Sequence, residues 1–171
     1  MNQPACEIYE ARCEVADRSR FLRELRAIAD EYRTSVVVFD AARMAGREHV
    51  TAALHHAWRS FYEGTPIANS FEMEALLFAA GTRQTSVASG FGIREGATEA
   101  YVCICPPAQG AYDALKQLVT FVNEDWEEID EEKRDRLMKL FAITPQELEV
   151  VGTEKFRDLV LERVALLEVY R

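Results

Sequence analysis

The sequence predicts a single α/β domain of the α+β kind spanning residues 1–171, with a small mixed or antiparallel sheet packed with several helices. Three observations predict it. Residues 6–16 alternate apolar and polar side chains, the period of a strand with one exposed face. The runs 35–40 and 100–105 are rich in β-branched and apolar residues and are bounded by turn residues. Between and after them, apolar residues recur at helical spacing. A length of 171 residues with 49% hydrophobic content suits one core of ordinary size.

Taken in order, Cys6, Ile8, Ala11, Cys13 and Val15 are interspersed with charges and read as an amphipathic strand. Asp17 or Ser19 then starts a helix with Phe21, Leu22, Leu25, Ile28, Ala29 and Tyr32 on one stripe. Its arginines interleave with Glu24, Asp30 and Glu31, the pattern of a solvated face. Ser35–Asp40 reads as a central strand covered on both faces. A helix from Gly46 to Tyr62 places Val50, Ala53, Leu54, Ala57, Trp58 and Phe61 inward.

Glu63-Gly64-Thr65-Pro66 and Arg94-Glu95-Gly96-Ala97 are turns, and Ala100–Cys105 is a second buried strand ended by Pro106-Pro107. Ala111, Tyr112, Leu115, Leu118, Val119 and Val122 predict a helix whose stripe resembles that of residues 18–33, which suggests a βα-type duplication in architecture. The acidic tract Glu124–Glu132 is read as a solvent-facing turn into a helix bearing Leu137, Met138 and Phe141. Thr144-Pro145-Gln146-Glu147 is a helix start. The tail from Thr153 begins a helix with Phe156, Leu159 and Val160; the pattern over Val164–Tyr170 suits both a continued helix and an edge strand, and the strand is preferred.

The net charge of −9 and pI near 4.9 argue against a protein that coats nucleic acid generally. The charge is uneven, with 11 Lys+Arg against 13 Asp+Glu up to residue 95 and 9 against 16 beyond it. Every Lys or Arg before Lys116 is an arginine, the cation suited to bidentate phosphate contacts and to stacking on bases. The start Met1-Asn2-Gln3-Pro4-Ala5 has no cationic segment followed by an apolar one, and no run approaches the ~18 apolar residues of a membrane span, so a cytoplasmic protein without a membrane partner is expected. Cys6, Cys13, Cys103 and Cys105 lie in predicted strands without Cys-x-x-Cys spacing, which favours buried reduced thiols over disulfides or zinc. His49, His55 and His56 lack the i, i+4 spacing that puts two imidazoles on one helical face, so no metal and no cofactor are expected. His49 and His56 are seven apart and share a face, which makes them candidates for lining a groove, while for either alone a hydrogen-bonded structural role is the preferred assignment.

The chain is organised around Pro66–Gln84, whose punctuation reads as two short helices meeting at a corner. Asn69 or Ser70 caps the first, Gly81 ends it in a left-handed conformation and Thr82 caps the second. Arg83 and Gln84 then fall in the first turn of the second helix, where acidic residues are the usual choice. No acid occurs between Thr82 and Ile93, so the missing negative charge is supplied by Glu72 or Glu74 across the corner, or by a ligand such as a phosphate.

The run Pro66-Ile67-Ala68-Asn69-Ser70-Phe71, followed by Met73-Glu74, Leu76, Gly81, Gln84, Gly92 and Gly96, resembles the signature of the kinase-regulatory subunit of KEOPS, the PRPK-binding protein family of Cgi type. The likeness extends upstream to His49, Ala53 and Ala57 and downstream to Arg163-Val164-Ala165-Leu166-Leu167. It implies a non-catalytic subunit that binds the small KEOPS kinase/ATPase, supports synthesis of threonylcarbamoyl-adenosine in tRNA and holds the single-stranded 3′ CCA end. With the resemblance, Arg83, Gln84, Asn69, Ser70, His49 and His56 become the expected tRNA-binding residues, and Leu77, Phe78, Phe91 and Ile93 the expected kinase interface. Two other classes compete: a protein adapter whose polar corner is structural, and a small enzyme using Arg83, Glu74 and a histidine around an anionic metabolite.

Overall fold

The computed structural model describes residues 5–170, so the Met1–Pro4 portion of the start lies outside the described residues. Four strands, β1 (Glu7–Val15), β2 (Ser35–Asp40), β3 (Gly96–Cys105) and β4 (Val119–Phe121), form one antiparallel sheet in the order β2-β3-β1-β4. With α1 (Arg18–Glu31) between β1 and β2, and α5 (Gln109–Leu115) between β3 and β4, the topology is two interleaved strand–helix–strand units, the split βαβ arrangement. Both helices lie on the same face of the sheet, packing Phe21, Leu25, Ala29, Ala111 and Leu115 against Val36, Val38, Val102 and Ile104. The other face is covered by α2 (Arg47–Tyr62), α3 (Phe71–Ala80), α6 (Glu131–Leu140) and α8 (Phe156–Tyr170), which meet Val37, Phe39, Tyr101 and Cys103. Between them, α4 (Thr85–Ala88) follows α3 and α7 (Pro145–Val151) precedes α8.

Local signals explain most boundaries. The Asp17 carboxylate accepts from the Arg20 N–H at 3.1 Å and starts α1. Thr144 does the same for α7 through the Glu147 N–H, with Pro145 at the first helical position. Alternation along β2 and β3 sends successive side chains into the two separate cores, so the runs Val36–Phe39 and Ala100–Cys105 are apolar throughout.

Several expectations are corrected. β2 is an edge strand, not a central one; it is buried on both faces because α1 packs on one and α3 on the other. Of the inward set on α2, Trp58 is half-buried and Phe61 exposed, although Ser60 between them in the chain is fully buried. The helix expected over 111–122 ends at Leu115, and Val119–Phe121 pairs with Ala11–Cys13 as β4, because the open edge of β1 offers a ladder that a period-3.6 reading cannot see. Val164–Tyr170 continues α8: Val164 and Leu167, three apart, are buried together in the core shared with α2 and α3. Cys6 and Cys105 form a disulfide, while Cys13 and Cys103 are free and buried. The β1–β3 register, which pairs Glu7 with Ile104, sets Cys6 opposite Cys105, and sequence spacing carries no register. Among the described residues no helix is long and apolar enough to cross a membrane.

Candidate functional site

The central corner is built as a helix with both ends tied. Ser70 Oγ accepts from the Met73 N–H at 3.2 Å and starts α3. At the other end Gly81, at φ 63°, closes the helix with Gly81 N–H to Phe78 O and Thr82 N–H to Leu77 O, the Schellman pattern. Glu74 is fully buried and folds the preceding loop onto the helix: its carboxylate accepts from Ile67 N–H at 3.0 Å and Ala68 N–H at 2.7 Å. Those bonds occupy Glu74 in the loop, so it neither pairs with Arg83 nor offers itself as the acid of a small-molecule site.

The second helix starts later than expected. Thr82 Oγ1 accepts from the Gln84 N–H at 3.1 Å, and Gln84, in extended backbone, is the residue before α4. Arg83 and Gln84 therefore sit in the turn between α3 and α4 and not in a helical first turn. Both are exposed, and among the described residues Arg83 forms no ion pair, with Glu72 or any other acid.

The turn faces the last two turns of α8 across a groove of about 430 Å³, lined by Thr82, Arg83 and Gln84 on one side and Leu166, Leu167 and Tyr170 on the other. At its base Gly81 touches α8 directly: a Cβ there would lie 3.1 Å from the Arg163 carbonyl oxygen. Arg163 is spent on structure. Its guanidinium makes two bonds to the Glu147 carboxylate at 2.6 and 2.7 Å and donates to the Phe141 and Ala142 carbonyls, holding Glu147 below the usual carboxylate range. Among the described residues, Arg83 is thus the uncommitted cation of the groove. Sequence reasoning missed Tyr170 and the α8 wall, although the 163–167 likeness marked that segment.

The other expected site residues separate from this groove. Asn69 and Ser70 stand at the opposite end of α3, about 15 Å from Gly81 by the rise of a ten-residue helix, and the Ser70 hydroxyl is used as a cap. His49 is fully buried, with Nδ1 accepting from the Ala45 N–H at 2.9 Å and Nε2 donating to Ala79 O at 2.8 Å. Burial pushes its pKa down to about 4. His56 is half-buried, stacked on Phe78 at 5.1 Å and bonded to Glu168 at 3.1 Å; burial lowers its pKa and Glu168 opposes the shift. The two histidines do share the α2 face, but that face looks into the α3–α8 packing. Leu77, Phe78, Phe91 and Ile93 are all core residues with exposures of 2% or less; of the four, only Ile93 also lines a concavity, a cleft between α1 and α3. Apolar residues on most faces of α3 make Leu77 and Phe78 indistinguishable, in sequence, from an exposed stripe.

A second concavity lies at the other end of α3. It is an apolar cleft of about 250 Å³ between α1 and α3, floored by Val36, Val37 and Val38 of β2 and bordered by Leu22, Met73 and Leu76. Leu22 is 39% exposed, and Met73 and Leu76 are half-buried, unlike the four residues above.

A search among curated proteins finds no match to this chain. A protein-family model described as "Kinase binding protein CGI-121" matches residues 14–168, nearly the whole chain. The chain belongs to the CGI-121 kinase-binding protein family.

Proposed function

We propose that this kinase-binding protein is a non-catalytic subunit of the KEOPS complex that regulates the kinase/ATPase and holds the 3′ CCA end of the tRNA being modified. The observation that carries the RNA part is the meeting of two distant stretches of likeness, 81–84 and 163–167, at one groove whose free cation is Arg83. A guanidinium without an acidic partner, on a chain of net charge −9, is suited to one phosphate and not to a polyanion along its length. Gln84 adds an exposed amide beside it. For the kinase, the apolar cleft between α1 and α3 is the docking surface in this reading, because it is formed by the signature residues Met73 and Leu76 yet is open to a partner.

The test is binding of matched tRNAs with and without the terminal CCA, to wild type and to Arg83→Glu, across a salt series. An Arg–phosphate contact contributes on the order of 1–3 kcal/mol, so the variant binds the intact tRNA roughly tenfold or more weakly, with the fold and kinase co-purification unchanged. Equal affinity for the two tRNAs, or an Arg83→Glu protein that binds as wild type does, leaves a protein adapter without an RNA role.

A further inference from the structure

We infer that Tyr170 is the stacking platform of the groove, receiving the base of the 3′-terminal nucleotide of a single-stranded RNA while Arg83 meets its phosphate; this rests on the RNA-holding role proposed above. Tyr170 lies in the last turn of α8, 74% exposed, and lines the same groove as Arg83 and Gln84. Leu166, four residues earlier, sits beneath it on the same helical face and gives the groove an apolar floor next to the ring. A ring on an apolar shelf, opposite a guanidinium and an amide, complements three features of a nucleotide: the π face of its base, its phosphate and the base edges.

The occupant is an end and not a continuous strand. The groove has the volume of a small-ligand site, and Arg163, the other cation in its wall, is already neutralised by Glu147. Among the described residues, Arg83 and Arg163 are the cations lining the groove, and a passing strand would go on to meet a surface of net negative charge. Stacking also explains how a chain of this charge holds RNA at all, since base–aromatic contact does not depend on counterion release.

The experiment measures the affinity of a 5′-labelled CCA trinucleotide, of the same oligonucleotide with an abasic 3′ residue, and of AMP. The proteins are wild type, Tyr170→Ala, Tyr170→Phe and Arg83→Glu. Tyr170→Ala is expected to weaken the intact trinucleotide by roughly tenfold, within the range of one base–aromatic stack, whereas Tyr170→Phe keeps wild-type affinity. The abasic oligonucleotide binds wild type as weakly as Tyr170→Ala binds the intact one, and is insensitive to the substitution, which is the signature of a direct ring–base pairing. AMP binds far more weakly than the trinucleotide. A Tyr170→Ala protein that keeps wild-type affinity, or that weakens abasic and intact oligonucleotides alike, overturns the stacking role. AMP binding as tightly as the trinucleotide overturns it in favour of a free nucleotide. Loss confined to Arg83→Glu sinks Tyr170 and leaves the RNA-holding role standing; no loss in either variant sinks both, and leaves the groove to a protein partner.

Discussion

His49 shows how a single buried side chain sets a pH limit. Its Nδ1 accepts a backbone N–H, so the neutral ring with the proton on Nε2 is the form the core is built around, and protonation would place two donors face to face. With the folded pKa depressed to about 4 against an ordinary 6.5, the unfolded chain binds the proton first. The stability that His49 contributes is therefore complete above about pH 6.5 and is lost as pH falls towards 4, by roughly 3 kcal/mol in all. Urea unfolding of wild type and His49→Phe between pH 7.5 and 4 checks this: the free-energy gap between them narrows by that amount as the solution is acidified. A gap that stays constant with pH rules out the titration. The same ring is the clearest lesson about residue type, since of the two roles its place in the sequence offered, lining a groove or a hydrogen-bonded structural position, it takes the structural one preferred from sequence.

At the scale of elements, the join between α3 and α8 positions the groove, and Gly81 is its hinge point. Its φ of 63° is costly for any residue with a Cβ, and a Cβ there would lie 3.1 Å from the Arg163 carbonyl oxygen, so α8 would have to give by a few tenths of an ångström. Gly64, at φ 71°, has open space around it and serves as the comparison. Gly64→Ala should cost only the backbone term, about 1 kcal/mol, whereas Gly81→Ala should cost roughly 2 kcal/mol or more, the excess being the helix–helix contact. Chemical denaturation of the two variants measures the difference, and equal losses would mean that α8 yields freely. The cap signals at Asp17, Ser70, Gly81 and Thr144 were readable in the sequence because each acts within four residues of itself. The start of α4 was not, since Thr82 uses its hydroxyl on the Gln84 N–H and the helix begins two residues later than a Thr82 cap implies.

For the whole molecule, the two concavities stand at opposite ends of α3, the apolar cleft beside α1 and the groove beside α8. Kinase docking and RNA holding should therefore be separable. Leu22→Glu places a charge at the exposed lip of the cleft and is expected to abolish co-purification with the kinase subunit while leaving affinity for CCA-ended tRNA unchanged. Circular dichroism establishes that the variant folds. If Leu22→Glu keeps the kinase complex intact, the docking surface is elsewhere; if it weakens both partners together, the two sites are coupled and not independent.

What the sequence by itself determined is local or composition-driven: one domain, strands over 6–16, 35–40 and 100–105, of which the last begins four residues earlier, at Gly96, the caps, the left-handed Gly81 and the family likeness matched over residues 14–168. Each of these rests on periodicity or on bonds made within a few residues, and so is written in consecutive letters. What only the tertiary structure decided is everything that depends on long-range pairing. The sheet order placed β2 at an edge, the β1–β3 register joined Cys6 to Cys105, and helix packing turned Leu77, Phe78, Phe91, Ile93 and His49 into core. The same packing split Asn69 and Ser70 from Arg83 and brought Tyr170 to it from 87 residues further along the chain. An apolar residue carries no mark of whether another helix will cover it, and an arginine none of whether an acid will reach it, because both are decided by segments brought alongside only once the chain has folded.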